Sequence, residues 1–414
     1  MDNTSTQTKI ALARFASSIG ANRVVVALSV ARLGDAIGNS ILFILIPLYV
    51  ASLPAPWFHL PDTVLVGLLI SLFGLANAVL QPVMGALADR ISRRKPLIQA
   101  GLLLMGVGTI AFIFASRFID LLVIRALQGI GVAMTIPASM ALMTTATEKQ
   151  SRGGSMGIYT TMRMVGFAIG PLTGGFLYVH FGFDATFYVG ALSILIGMIL
   201  VQFWVNEVPN DTVAEAGRPL RIIDRDLLTA GIVGLGLATF VMASAFSMMT
   251  TLENQFNARL NETALDFSIA FSALMISRLI FQIPLGRLSD HIGRKPLIIG
   301  GLILLAPATA LLGGAGSTLQ LTVVRLFQGL ASAGIAAPAF ALAADLAKTG
   351  GEGRQMSIIT MGFGLGIALG PLIAGVLAIS FFELPFLVGG AMALLGAWIV
   401  YRYVPESVKR KTQA

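Results

Sequence analysis

Four ionisable side chains lie deep inside long apolar stretches of the sequence: Asp35, Arg125, Arg163 and Arg278. At 1.5 Å per helical residue, each lies within about one to two helical turns of the middle of its stretch. An unpaired charge at that depth in a membrane costs several kcal/mol. A carboxylate there can take up and release a proton, because burial opposes its charge and a nearby guanidinium stabilises it. Asp35 is therefore the candidate proton-binding group.

Other polar residues could complete a cavity around this carboxylate. Arg125 is a candidate modulator of Asp35, or an anchor for a bound molecule and for helix ends. Asn39 follows Asp35 by one helical turn, and Gln128 follows Arg125 by almost one turn. Both amides could therefore extend the polar surface on the same helix faces.

Each charged candidate also has a purely structural explanation. Asp35 could form a permanent buried ion pair with an arginine, for which Arg32 is available one turn earlier. The long guanidinium groups of Arg163 and Arg278 could instead reach the membrane surface or bind free helix carbonyls. Both explanations remain open from the sequence alone.

The apolar stretches that carry these residues are long enough to cross a membrane. Hydrophobic residues make up 56% of the chain and charged residues only 12%, with a mean hydropathy of +0.84, which excludes a water-soluble core. Stretches that can cross about 30 Å of hydrocarbon predict an all-α membrane protein with twelve transmembrane helices. They span residues 24–50, 63–88, 96–116, 119–143, 154–180, 183–205, 227–250, 264–286, 295–314, 318–346, 354–380 and 383–404.

Basic residues cluster in alternate loops, which predicts the orientation. The loops at 90–95, 149–152, 218–225, 287–295 and 348–354 and the tail at 409–411 are basic, whereas the opposite loops carry only Arg117 and Arg259. By the positive-inside rule, both termini are predicted to be cytoplasmic. The net charge of +8 is then a topological signal and does not indicate nucleic-acid binding.

The sequence also contains an internal repeat. Three landmarks return in the same order about 200 positions later: 85–98 as 286–298, 125–129 as 325–329, and 170–172 as 370–372. A membrane bundle built twice is therefore predicted, with six helices in each half. The predicted halves are residues 1–205 and 227–414, joined by a cytoplasmic linker at 206–226.

With these motifs the chain resembles the major facilitator superfamily over almost its whole length. The loop from Gly85 to Lys95 is similar to the family's loop between helices 2 and 3, although Ser92 replaces a glycine, and the second copy has His291 in place of an arginine. The fifth span is similar to the pattern of family exporters that exchange substrate for protons. Its residues are Gly157, Gly166, Gly170, Pro171, Gly174 and Gly175. The match is to the 12-span drug:proton antiporter group.

The resemblance implies roles for both motifs. The loop residues would latch the halves together in one conformation and release them in the other. They are Gly85, Asp89, Arg90 and Arg94, with Gly286, Asp290 and Arg294 in the copy. Simple helix packing is the more ordinary explanation of any single glycine in the fifth span, but six residues in fixed register, Pro171 among them, favour a hinge or seal.

Several classes of function are excluded or disfavoured. The chain has no cysteine and only three histidines, so we expect no metal site, and no phosphate-binding loop or other cofactor motif is present. We therefore expect a monomeric multi-pass protein of the plasma (inner) membrane whose partners are protons, membrane lipid and a small-molecule substrate. It would export small amphipathic or hydrophobic compounds in exchange for protons. A proton-coupled importer, a sugar or metabolite effluxer, and a non-transporting receptor or scaffold remain alternatives.

Overall fold

The structure is a computed structural model that describes residues 22–53, 59–148, 151–206, 229–346 and 352–407. These residues form helices and short connections, with no strand among them. The helices are α1 (Arg23–Ser52), α2 (Asp62–Arg90), α3 (Lys95–Ala111), α4 (Phe118–Ala146), α5 (Arg152–Trp204), α6 (Ala230–Ser247), α7 (Glu253–Leu260), α8 (Ala264–Ile292), α9 (Arg294–Ala310), α10 (Thr318–Leu346), α11 (Glu352–Leu377) and α12 (Leu384–Tyr403).

Eleven helical segments of the described chain are long and apolar enough to cross a membrane, and one of them contains two spans. That segment is α5, whose 53 residues are interrupted at Gly182, where φ is 79° and ψ is −171°. A glycine adopts this conformation at little cost because it has no Cβ. The predicted all-α fold with twelve transmembrane helices is therefore confirmed.

The seventh span is longer than predicted. It was expected to end at residue 250, but α6 continues through a 3₁₀ segment (Met248–Leu252) into α7, which ends at Leu260. Thr250 and Thr251, at the predicted end, are buried, and they donate hydrogen bonds to the carbonyls of Ser247 (2.6 Å) and Pro371 (3.0 Å). Of the predicted linker, all but residue 206 lies outside the described residues.

The same helix pairing occurs twice along the chain. In the first part, α1 packs against α5 and α2 against α4, whereas in the second part α6 packs against α11 and α8 against α10. The two sets of helices meet where α2 packs against α11 and α5 against α8. We call the end of the bundle where α1 begins and α12 ends the basic end, since both repeated loops lie there, and the other end the opposite end.

The two sets of helices are sealed together at the opposite end. The rings of Phe43, Phe246 and Phe271 lie in one apolar cluster, and the Phe43 centroid is 6.4 Å from Phe246 and 6.0 Å from Phe271. Asn254 of α7 also donates a 2.8 Å hydrogen bond to the Pro47 carbonyl of α1.

Towards the basic end the two sets of helices are spread apart. The apolar clusters there belong to one set each, and a side chain at Gly157 would begin more than 4 Å from every other helix of the described chain. The bundle is thus closed at the opposite end and open towards the basic end.

Candidate functional site

Asp35 and Arg32 form an ion pair inside the first set of helices. The two residues lie one turn apart on α1, with relative exposures of 3% and 7%, and Arg32 Nη1 donates a hydrogen bond to Asp35 Oδ2. Asp35 Oδ1 and Arg32 Nε have no hydrogen-bond partner among the described residues. In this conformation Asp35 is therefore an ion-paired carboxylate with one unsatisfied oxygen.

A small cavity reaches this ion pair. Its polar lining comes from Arg32 and Asp35 on α1, Thr135 and Ser139 on α4, and Tyr159 on α5. The Arg32 guanidinium carbon lies 5.8 Å from the centre of the Tyr159 ring, within the range of a cation–π contact. Leu28, Ile98 and Leu102 contribute to its apolar lining, so the pair lies within protein, beside both hydroxyl groups and apolar side chains.

Close packing of α1 on α5 directs the polar face of α1 towards α4. A methyl group at Gly166 would lie 2.5 Å from Ala36 Cβ, and one at Gly38 would lie 2.9 Å from the Gly190 carbonyl oxygen. Neither site has room for a side chain, so the backbones touch. Asp35 and Asn39, four residues apart, then share the face of α1 that lies towards α4.

Arg125 does not contact Asp35. Its side chain is fully buried, and Nη1 donates to Gln128 Oε1 at 3.1 Å and makes a long contact of 3.5 Å with Asn39 Oδ1. Gln128 Nε2 donates in turn to Thr109 Oγ1 at 3.1 Å. The structure thus brings Arg125, Gln128 and Asn39 together, but it pairs Asp35 with Arg32.

This arginine scaffold is repeated in the second set of helices. Arg325 Nη1 donates to Gln328 Oε1 at 2.9 Å, and Gln328 Nε2 donates to Thr309 Oγ1 at 3.0 Å. All three residues stand 200 positions after their counterparts in the first set. The Arg–Gln–Thr scaffold is therefore a common element of both sets.

The ion pair, by contrast, has no counterpart in the second set. Ser40 and Ser247 donate hydrogen bonds to equivalent carbonyls, those of Gly166 (3.1 Å) and Gly366 (3.2 Å), which aligns α1 with α6. This alignment places Met242 where the first set has Asp35. The same helix arrangement is thus built once with the carboxylate and once without it.

Arg163 and Arg278 meet from opposite sets of helices. Arg163 lies on α5 and Arg278 on α8, both half-buried, and their guanidinium carbons lie 5.4 and 5.8 Å from the centre of the same ring, that of Phe363 on α11. Arg163 interacts electrostatically with Arg278, Arg32 and Asp35. Neither Arg163 nor Arg278 forms an ion pair with any described residue.

The glycines of the fifth span make close contacts with two helices. Gly166, Gly170 and Gly174 face α1, and a methyl group at Gly174 would lie 3.4 Å from Ile41 Cα. Gly175 faces α8, with 2.8 Å between such a methyl group and the Ala264 carbonyl oxygen. Pro171 is buried beside them, whereas Gly157 is exposed, and a methyl group there would touch no other helix of the described chain.

In the first repeated loop, the candidate latch is only partly described. The side chain of Asp89 lies outside the described residues, and Arg90 is exposed at the end of α2. Arg94 is buried and its Nε donates to the Ala88 carbonyl at 3.0 Å. Gly85 lies opposite Pro137 of α4.

The second copy of the loop is fully described and ties helices of one set together. Arg294 forms ion pairs with Asp290 (3.4 Å) and with Asp345 at the end of α10, and it donates a hydrogen bond to the Ala341 carbonyl. Gly286 lies opposite Ala337 of α10, as Gly85 lies opposite its partner on α4. These contacts all join α8, α9 and α10, so none of them crosses to the first set.

The sequence interpretation missed Glu253. This residue opens α7, is fully buried at the opposite end, and neither of its carboxylate oxygens has a hydrogen bond of good geometry within the described chain. Asn257, one turn further on, is the polar side chain that faces it. The seventh span was predicted to end at residue 250, so Glu253 was assigned to a loop. An acid only three residues beyond that end was the one sequence feature that could have indicated a buried carboxylate.

Known proteins resemble this chain in sequence along most of its length. Human synaptic vesicular amine transporter is 28% identical over 329 residues, which cover 77% of this chain and 62% of that protein. The chain thus spans less than two thirds of this relative. Multidrug resistance protein MdtG of Klebsiella pneumoniae is 26% identical over 360 residues, covering 85% and 86% of the two chains. The homologue of multidrug resistance efflux pump PmrA in Lactococcus lactis is 27% identical, covering 75% and 78%.

Solved structures share the fold. A bacterial homologue of the human lysosomal transporter Spinster, in an inward-facing and occupied conformation, superposes with a TM-score of 0.76 at 17% identity and covers 91% and 95% of the two chains. The human organic anion transporter MFSD10 gives 0.68 at 19% identity, covering 91% and 99%. The sequence model of the Major Facilitator Superfamily matches residues 28–265 and 232–414. Two matches that together cover nearly the whole chain, on a bundle of twelve spans, establish that this multi-pass membrane protein belongs to the Major Facilitator Superfamily of transporters.

Proposed function

We propose that this protein exports small amphipathic or hydrophobic compounds from the cytoplasm in exchange for protons. The observation that carries the proposal is the buried Arg32–Asp35 ion pair, which one set of helices has and the other lacks. Burying a carboxylate is costly because the charge loses its water, and the second set of helices shows that the fold does not need one here. We therefore infer that Asp35 has a function. Reversible protonation supplies one.

Protonation of Asp35 changes the balance of charge around it. While ionised, its carboxylate stabilises Arg32 directly and Arg163 at longer range. A proton on the carboxylate removes this attraction and leaves the two guanidinium groups to repel each other. Binding or release of one proton can thus alter how α1 and α5 lie together.

Alternating access would follow from rocking of the two sets of helices about their shared interfaces. The open basic end and the closed opposite end are one of the two states that this mechanism needs. Close contacts of Gly175 with α8 leave backbones free to slide where a larger side chain would interlock. We propose that Asp89 contributes to a latch at the basic end in the other state.

We place the protein in the plasma membrane with its basic end towards the cytoplasm. Arg90, Arg94 and Lys95 lie at that end, where anionic lipid of the inner leaflet attracts basic residues. Inward movement of one proton at a negative-inside potential then supplies about 2.3 kcal/mol per 100 mV. We propose that residues 1–205 and 227–414 act as the two halves of a monomer, with the segment at 206–226 as linker.

Proton-coupled uptake is the second candidate, and the cluster of arginines favours it for one kind of substrate. Arg32 and Arg163 interact with a single acid, Asp35, and Arg278 interacts in turn with Arg163. Once that acid is protonated the cluster carries more positive charge, and it would bind an anion more tightly. Proton and anion would then travel in the same direction.

Proton movement in liposomes distinguishes the two candidates. Purified protein is reconstituted with a pH-sensitive dye inside, a proton gradient is imposed, and lipophilic cations, neutral drugs and organic anions are added in turn. Exchange predicts that substrate and protons move in opposite directions, and uptake predicts the same direction.

Two variants test the role of Asp35 in the same assay. Asp35→Asn should abolish substrate-dependent proton movement, whereas Asp62→Asn, which changes an exposed acid at the start of α2, should retain it. Proton-coupled transport that persists in Asp35→Asn would overturn the proposal.

A further inference from the structure

Two cations from opposite sets of helices lie beside the same phenyl ring, and neither has a counter-ion among the described residues. The guanidinium carbons of Arg163 and Arg278 lie 5.4 and 5.8 Å from the Phe363 ring centre. The acid nearest to Arg163, Asp35, is already paired with Arg32. Together these four ionisable side chains carry an excess of two positive charges.

This excess charge has no structural explanation in the packing around it. Arg278 Nε is buried and has no hydrogen-bond partner in the part of the chain that the structure describes. A half-buried guanidinium normally has a carboxylate or a set of carbonyl groups as partner, because desolvation is otherwise uncompensated. Here each guanidinium lies against a phenyl ring, which offsets only part of that cost.

We propose that Arg163 and Arg278 bind an organic anion between them, with its apolar body against Phe363, so that the transported compound carries a carboxylate, sulfonate or phosphonate group. Guanidinium groups bind such oxyanions with two parallel hydrogen bonds. The ring of Phe167, 5.5 Å from the Arg163 guanidinium carbon, extends the apolar wall beside them. The inference rests on the proposed transport function but holds for either direction of proton coupling.

The site also explains how binding could move the helices. Arg163 belongs to the first set and Arg278 to the second, and their like charges oppose closure of the basic end. An anion between them replaces this repulsion with two attractive contacts, one to each set. It therefore binds the closed basic end better than the open one, which is the condition for a ligand to shift a conformational equilibrium.

The charge preference can be measured with three compounds that share one aromatic body. Purified full-length protein in neutral detergent is titrated calorimetrically with 2-naphthoate, 2-naphthylmethanol and 2-naphthylmethylammonium. We expect 2-naphthoate to bind at least about ten-fold more tightly than the alcohol, since charge-assisted hydrogen bonds are about twice as strong as neutral ones. Binding of the ammonium compound or the alcohol as tightly as the carboxylate would overturn the proposal.

Variants assign that affinity to the two arginines. Arg163→Gln and Arg278→Gln should each weaken 2-naphthoate binding at least about ten-fold, with the alcohol unaffected. If either glutamine variant does not fold, Arg163→Lys and Arg278→Lys keep the charge but not the bidentate geometry, and an intermediate loss is expected. Arg287→Gln, an exposed arginine near the basic end, is the matched control and should bind like wild type. Unchanged affinity in both arginine variants would refute the site.

Two further arms identify the source of the anion and separate this proposal from the transport function. Binding of 2-naphthoate is compared in nanodiscs of phosphatidylcholine and in nanodiscs that also contain phosphatidylglycerol. Equal binding in both assigns the site to a soluble anion. Loss of binding only in the presence of the anionic lipid shows that a lipid headgroup occupies the site and overturns that assignment. In liposomes, tight 2-naphthoate binding without proton movement would refute proton coupling and leave the anion site standing. Proton-coupled transport of cations, without any binding of 2-naphthoate, would refute the anion site and leave proton coupling standing.

Discussion

Removing one partner of the Arg32–Asp35 ion pair should destabilise the protein far more than removing both. Asp35→Asn leaves a guanidinium with 7% exposure without its counter-ion, and Arg32→Gln leaves a carboxylate with 3% exposure without its own. Breaking a buried pair in this way costs about 3–5 kcal/mol. The double variant removes both charges and keeps two side chains of similar size, so its stability should return to within about 2 kcal/mol of wild type.

Unfolding by sodium dodecyl sulfate in mixed micelles, followed by tryptophan fluorescence, gives the three free energies. The coupling energy of the cycle should then exceed about 2 kcal/mol, because neighbouring buried charges are not additive. The control cycle uses Arg259 and Glu383, whose Nη1 and Oε1 atoms lie 2.6 Å apart but whose side chains are 46% and 38% exposed. For this exposed pair we expect a coupling below about 1 kcal/mol.

A small coupling between Arg32 and Asp35 would refute the reasoning. If the effects of the single substitutions simply add, the pair is solvated, and the cavity beside it holds more water than its apolar lining of Leu28, Ile98 and Leu102 suggests. Burial of the Asp35 carboxylate would then no longer support a functional role for it. Equal couplings in the buried and exposed cycles would lead to the same conclusion.

Three further substitutions follow from other sites. Gly166→Ala should cost about 1–3 kcal/mol and slow transport, because its methyl group would lie 2.5 Å from a side chain of α1, whereas Gly157→Ala should be tolerated; equal melting temperatures would contradict this contrast. Wild-type protein should melt at a lower temperature at pH 8 than at pH 5, because an ionised carboxylate at Glu253 cannot remain unpaired in the buried end of the bundle. Glu253→Gln should be at least as stable as wild type, and its melting temperature should fall less between these two pH values. An equal fall in both proteins would argue against this. Asp89→Asn should lower the transport rate while the amount of protein inserted in the membrane is unchanged, and an unaltered rate would remove the latch.

The fold could be predicted because both of its signals can be read directly from the sequence. Apolar stretches of sufficient length give the spans, and the copy of residues 85–98 at 286–298 gives the repeat. The exact end of the seventh span could not be predicted, because it depends on contacts with distant helices. Thr251 is buried there only because the Pro371 carbonyl accepts its hydrogen bond.

The candidate site was only partly predictable for a related reason. Arg32 could be named as a partner for Asp35, since residues three apart share a helix face. Arg125 could not be placed without the packing of α1 against α4, which brings it to Asn39 instead. The meeting of Arg163 with Arg278 depends on the approach of two helices more than 100 residues apart, for which a single sequence has no signal.

The phenyl cluster at the opposite end also determines what the protein does not conduct. Phe43, Phe246 and Phe271 pack together where the two sets of helices meet, and their rings offer no oxygen atom to replace the water around an ion. A sodium ion or proton entering this dry layer would lose its hydration at a cost of several kcal/mol. In the transport cycle that we propose, the membrane potential would therefore not be short-circuited while substrate enters from the other side, and an ion gradient would remain available as a source of work.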